Sequence, residues 1–156
     1  MLRVTVPAEM RSRLRDALWR AGRNECGGVL MGEHVGHNHF VVRALTFERT
    51  GSFARFLRGV RVATSALRAF FKRTGNDYSR FNYLGEWHSH PSFPTEPSTT
   101  DHGSMMRIVQ DPAVGANFAV LVIVRLDQHH NLQGSARTYL PGGSVRRSQL
   151  GFLEYE

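Results

Sequence analysis

Apolar residues recur along this chain at two different periods, and the switches between them predict a mixed α and β protein. Residues 1–6 (MLRVTV) read as a short strand. Pro7 then suits the first turn of a helix, where its missing N–H costs nothing. Met10, Leu14, Leu18 and Ala21 follow at helical spacing with arginines on the other faces, and Gly22 supplies a stop. Cys26 to Met31 (CGGVLM) and Phe40 to Phe47 (FVVRALTF) are short apolar runs that predict buried strands. The polar GEHVGHNH between them predicts a hairpin loop. Residues 49–59 predict at most an irregular strand. Val62, Ala66, Ala69 and Phe70 mark a second helix that ends near Thr74-Gly75-Asn76.

The second half repeats the alternation. Tyr83 to Trp87 predicts a strand, and the prolines of HSHPSFPTEPSTTD exclude regular structure until about Ser98. A third helix is expected over Thr99 to Val109, stopping before Asp111-Pro112. Phe118 to Arg125 (FAVLVIVR) is nearly continuous in apolar residues, the pattern of a central strand covered on both faces. Asn131 to Leu140 predicts one more strand after a turn at Asp127–His130. The pattern gives one domain over residues 1–140. The tail, 141–156, is left open between a docked helix and a frayed end.

Composition narrows the class. With 156 residues, 41% of them hydrophobic and 21% charged, the chain can bury a core without disulfides. No apolar run reaches the roughly 20 residues of a membrane helix, and the first residues lack the apolar core of a signal peptide. Cys26 is the only cysteine, which fits a reducing cytoplasm. A net charge of +7 is carried almost wholly by arginine, since Lys72 is the only lysine. The arginines are dispersed apart from Arg11, Arg13, Arg15 and Arg20, so the pattern fits a solvated surface or a protein-docking face better than a nucleic-acid site. Near absence of lysine would also spare an enzyme working beside a lysine-conjugating system.

The chemistry concentrates in His88-Ser89-His90-Pro91 and in Ser98-Thr99-Thr100-Asp101, with Asp101 eleven residues after His90. Imidazole and carboxylate are ordinary zinc ligands, and a catalytic zinc keeps three protein ligands and one open position. The two histidines are expected to converge where their strand ends, at Pro91. Glu25 is the carboxylate candidate for general base, and Ser98 has a hydroxyl placed to meet an oxyanion. Each residue also has a plainer use. Ser98 to Asp101 matches a helix capping box, a His-x-His at a strand end is often surface, and Glu25 alone is often a solvated carboxylate. His34, His37 and His39 fit a polar hairpin, His129-His130 a turn, and Cys26 and Trp87 the core. Phe93, between prolines, fits exposure near a groove.

The combined pattern H-x-H-P-x(6)-S-x-x-D, with an upstream E-C-G-G-V-L-M-G, resembles the JAMM signature of the JAB/MPN metallopeptidases. The resemblance covers Glu25, Cys26, Gly27, Gly28, Leu30 and Gly32, then Gly85, Trp87, His88, Ser89, His90, Pro91, Pro97, Ser98 and Asp101. It implies a curved mixed β-sheet flanked by helices. It also implies a zinc ion held by His88, His90 and Asp101, with Glu25 as general acid/base and Ser98 steadying the oxyanion. The implied activity is hydrolysis of the amide after the C-terminus of a ubiquitin-like protein, in precursor processing or deconjugation. Stand-alone bacterial chains of this kind are similar to those encoded beside E1- and E2-like enzymes in anti-phage or mobile-element operons. The residues leave open a sulfur-carrier conjugate or cell-wall peptide as substrate, and a non-catalytic scaffold as a rival class. Neither membrane nor nucleic acid is expected as a partner.

Overall fold

The computed structural model describes residues 1–49 and 64–154. In chain order these form β1 (Arg3–Val6), α1 (Ala8–Ala21), β2 (Cys26–Gly36), β3 (His39–Leu45) and β4 (Glu48–Arg49). A helix over residues 64–73, here α2, follows. Then come β5 (Phe81–Ser89), α3 (Thr99–Gln110), β6 (Ala119–Leu126), β7 (Leu132–Tyr139) and β8 (Val145–Phe152). Beyond Arg49, the irregular strand expected over 49–59, and the start of the second helix at Val62, lie outside the described residues.

The strands form one mixed sheet in the order β3-β1-β8-β7-β6-β5-β2-β4, and a further β3–β2 pairing closes it on itself. β5 and β6 run parallel, as do β1 with both β3 and β8, while the other pairs are antiparallel. Alternation along each strand then decides what each face meets. Val120, Val122 and Val124 of β6 join Trp87, Leu30 and the buried stripe of α1 (Met10, Leu14, Ala17, Leu18, Ala21) in the main core. The intervening Ala119, Leu121 and Ile123 turn the other way and pack under Met105 and Val109 of α3. On that same side, Phe70 of α2 covers Val29, Met31 and Ala44. The near-continuous apolar run of β6 is thus explained by helices on both of its faces.

Two segments differ from their sequence pattern. The polar stretch expected as a hairpin loop is mostly strand: β2 continues to Gly36 and returns through a two-residue turn at His37-Asn38, where Asn38 has φ 51°. Residues 34–36 are exposed, so no apolar alternation marks them. The tail forms neither a helix nor a frayed end over 145–152. These residues become β8, inserted between β7 and β1.

Glu33 ties the far end of this sheet. Its carboxylate, with a side chain only 8% exposed, pairs with Arg43 at 2.8 Å and with Arg80 at 2.7 Å. Burial alone would raise its pKa, but the Arg80 and Arg43 guanidiniums more than reverse that and lower it. A depressed folded-state pKa contributes stability that is complete above the unfolded carboxylate value and fades as pH falls through the folded one. Glu33→Ala should therefore cost about 1.5–3 kcal/mol at neutral pH, the range for hydrogen bonds to charged groups. Urea melts at pH 7 and in mild acid check this, with the gap between wild type and variant shrinking in acid.

Candidate metal and catalytic site

β5 and α3 supply the site. His88 is paired with Gly27 of β2 on one side and Ile123 of β6 on the other. It therefore lies on the α3 face of the sheet, opposite Trp87. His90 follows two residues on, and its N–H donates to the Val124 carbonyl at 2.9 Å. The expectation that the histidines converge only by virtue of the strand end needs correction. Residues i and i+2 of an extended chain already share a face, and both rings reach Asp101.

Asp101 stands in the first turn of α3. The Ser98 hydroxyl oxygen accepts the Asp101 N–H at 3.1 Å, and Asp101 Oδ2 accepts the Ser98 N–H at 2.8 Å. This is a complete capping box. Capping also fixes the carboxylate: Oδ1 lies 3.2 Å from His88 Nδ1 and Oδ2 lies 3.4 Å from His90 Nε2. The His90 Nδ1–H donates to the Pro94 carbonyl at 2.9 Å, which fixes the ring with Nε2 on the Asp101 side. His90 and Asp101 are buried.

The electrostatics follow from this contact. Burial would raise the Asp101 carboxyl, but the His88 hydrogen bond and the Ser98 donors outweigh it and hold it well below the usual carboxylate range. Burial likewise opposes charge on His88, yet Asp101, Glu86 and Glu25 together raise its pKa. Glu25 is exposed, immediately before β2, and its field reaches His88. Two other contacts seat the neighbouring chain. The Ser89 hydroxyl oxygen accepts the Cys26 N–H at 2.9 Å, and β2 passes so close to β5 that a Cβ on Gly27 would come within 2.9 Å of His88 Cδ2.

These residues fit a zinc ion by their chemistry. Zn–N and Zn–O bonds of about 2.0–2.2 Å place tetrahedral ligand atoms about 3.3 Å apart, close to the two observed contacts. Among the described residues, however, no group of three or more His, Cys, Asp or Glu stands in the spacing of a preformed metal cage.

Several residues here were not singled out by sequence. Glu86 shares the face of His88 on β5, and burial pushes its carboxyl up to about 7, with His88 and the Tyr83 hydroxyl opposing the rise. Its position two residues before a candidate ligand was the available signal. Tyr139 is fully buried, and its hydroxyl lies 2.7 Å from His102 Nδ1, with burial and Asp101 raising its pKa to about 12. Residues set aside as non-ligands stay apart from the site. His39 bridges Arg3 and Thr5, His34 stacks on Phe40, and His130 meets Trp19 edge-on. Trp87 and Cys26 are core residues, while Phe93 is 55% exposed with its ring 6.2 Å from that of His90.

Comparison with known proteins places this geometry. Residues 7–138 match the family of prokaryotic homologs of the JAB domain. A protein of Enterobacter hormaechei named CD-NTase/cGAS isopeptidase is 35% identical over 109 residues, 67% of this chain and 57% of its own. A Vibrio cholerae protein of the same name is 34% identical over 108 residues, 66% of this chain and 64% of its own. This chain thus spans about three fifths of the length of either relative. Among solved structures, a Desulfitobacterium hafniense protein aligns with a TM-score of 0.67 at 18% identity, over 97% of this chain and 93% of its own. A JAB1/MPN domain protein of Archaeoglobus fulgidus aligns at 0.50 and 16%, over 94% and 98%. These two likenesses establish the fold. With the family matched over most of its length and its mixed sheet shared with a JAB1/MPN domain, the chain belongs to the prokaryotic JAB-domain family.

Proposed function

We propose that this protein is a zinc-dependent isopeptidase, in which His88, His90 and Asp101 hold the metal. The observation that carries this reading is the convergence of both imidazoles on Asp101, at 3.2 and 3.4 Å, within the field of Glu25. When bound, zinc supplies Lewis acidity toward the scissile carbonyl and the attacking water. Glu25 is exposed at the entry to β2, and we assign it the proton transfer. It takes the proton of the attacking water and returns it to the departing amine. The Ser98 oxygen already accepts the Asp101 N–H, so its own hydrogen remains to donate to the oxyanion of the tetrahedral intermediate. No acyl-enzyme forms, because water rather than a side chain attacks.

The substrate we propose is an amide at the C-terminus of a ubiquitin-like protein, joined either to a peptide extension or to a partner's lysine. Two relatives named CD-NTase/cGAS isopeptidase support the second form and nominate a CD-NTase as the modified protein. E1- and E2-like enzymes of a bacterial defence system would then make the conjugate that this enzyme removes. A free, buried Cys26 fits the cytoplasm as the setting.

The test is cleavage of a conjugate made between such a ubiquitin-like protein and a CD-NTase, followed by intact mass. The expected products are the unmodified CD-NTase and the ubiquitin-like protein with a free C-terminal carboxylate, formed only with zinc present and not with a chelator. Failure to release either product from conjugates and from linear fusions, with zinc supplied, would contradict the proposal.

A further inference from the structure

The loop over residues 91–97 joins the two halves of the site, His90 on one side and Ser98 with Asp101 on the other. It contains no helix or strand, yet it is held to the sheet at three points. Arg125 donates to the Phe93 carbonyl at 3.2 Å, the Ser135 hydroxyl donates to the Thr95 carbonyl, and Arg137 pairs with the Glu96 carboxylate. Register shows why these three act together. Arg125 pairs with Gln133, Ile123 with Ser135 and Leu121 with Arg137, so all of them lie on the α3 face of β6 and β7. That face is apolar beneath α3, at Ala119, Leu121, Ile123 and Tyr139, and turns polar beneath the loop.

Arg137 is the unusual member. Its side chain is only 11% exposed, and it sits directly opposite Arg147 of β8. Two guanidiniums side by side, one of them buried, are unfavourable unless an anion lies over both. Glu96 does: Oε2 contacts Arg137, and Oε1 lies 3.8 Å from Arg147. A charge pair of this kind belongs to the loop rather than to the core, since Glu96 itself is 58% exposed.

We propose that Arg137, through Glu96, clamps the loop and so positions Ser98 and Asp101 against His88 and His90. Arg137 is a positioning residue and touches no ligand. This inference rests on the zinc reading above. Partners that orient metal ligands typically contribute about 10–100-fold in metal affinity or activity.

The experiment compares wild type, Glu96→Ala, Arg137→Ala and Arg137→Lys, with Glu9→Ala as an exposed-pair control far from the loop. Zinc affinity is read by chelator competition, and amide exchange of residues 92–98 is read in the metal-free proteins. Glu96→Ala is the informative variant, because an exposed side chain can be cut without emptying the core. The expected result is a ~10–100-fold loss of zinc affinity in Glu96→Ala and faster exchange over 92–98. Arg137→Lys should recover part of what Arg137→Ala loses, and Glu9→Ala should match wild type. Unchanged affinity and unchanged exchange in Glu96→Ala, with zinc bound by wild type, would overturn the clamp and leave the zinc reading intact. Wild type that takes no zinc would overturn the zinc reading, and the clamp's role in ligand positioning with it.

Discussion

Glu25→Gln is expected to retain zinc and to lose about 10²–10⁴-fold in turnover, the usual contribution of a positioned general acid/base. Glutamine keeps the size and polarity of the side chain but cannot accept the water's proton. The fold should be untouched, because Glu25 is exposed and precedes the first residue of β2. Its influence on His88 is through space, while the two short contacts of Asp101 are made by other residues. Kinetics on a cleavable fusion, with zinc content measured on the same samples, separates the proton-transfer role from ligand loss. Equal turnover in wild type and variant would remove Glu25 from the mechanism.

Gly85→Ala is the substitution expected to damage the protein most. Gly85 lies in β5 between Leu30 of β2 and Val120 of β6. A Cβ there would come within 1.8 Å of the Val120 carbonyl oxygen and 2.6 Å of its nitrogen. Both are backbone atoms of a central strand, which cannot rotate away as a side chain tip would. Relief requires β5 to part from β6, and β5 carries His88 and leads directly into His90. We expect a loss of about 4 kcal/mol or more, at the extreme of single substitutions. At ~2–4 °C per kcal/mol for a chain of this size, that lowers the melting temperature by roughly 10 °C. Thermal unfolding checks it, and the variant should lose zinc in parallel. A melting temperature within a degree or two of wild type would show that the strand pair can open without cost.

These two variants also mark how far the sequence could be read. The helices and the inner strands announced themselves because each is covered by apolar partners: β6 by α1 and α3, and α1 by its stripe from Met10 to Ala21. The candidate site was legible for a different reason. Two histidines, a capping serine and an aspartate at set spacing are chemically distinctive, and Ser98 and Asp101 serve as cap and candidate site at once. What stayed hidden has little local period. The end of β2 is exposed, and β8 turns only Leu150 and Phe152 toward the core, so main-chain pairing contributes most of what holds them in the sheet. Glu33 meets Arg80 across 47 positions and Glu96 meets Arg137 across 41. Nothing near either residue in sequence signals its partner. The same is true of Gly85, whose need for a missing side chain comes from a strand 35 residues away.

Zinc content of the purified protein tests the assignment of His88, His90 and Asp101 as metal ligands most directly. Elemental analysis of wild type and Asp101→Asn should be run after incubation with zinc and removal of the excess. Asparagine keeps an acceptor for the Ser98 N–H, so α3 remains capped while the anionic ligand is gone. One zinc per chain is expected in wild type and little or none in the variant, with both proteins folded. Folded wild type without zinc, or equal zinc in both, would contradict that ligand assignment.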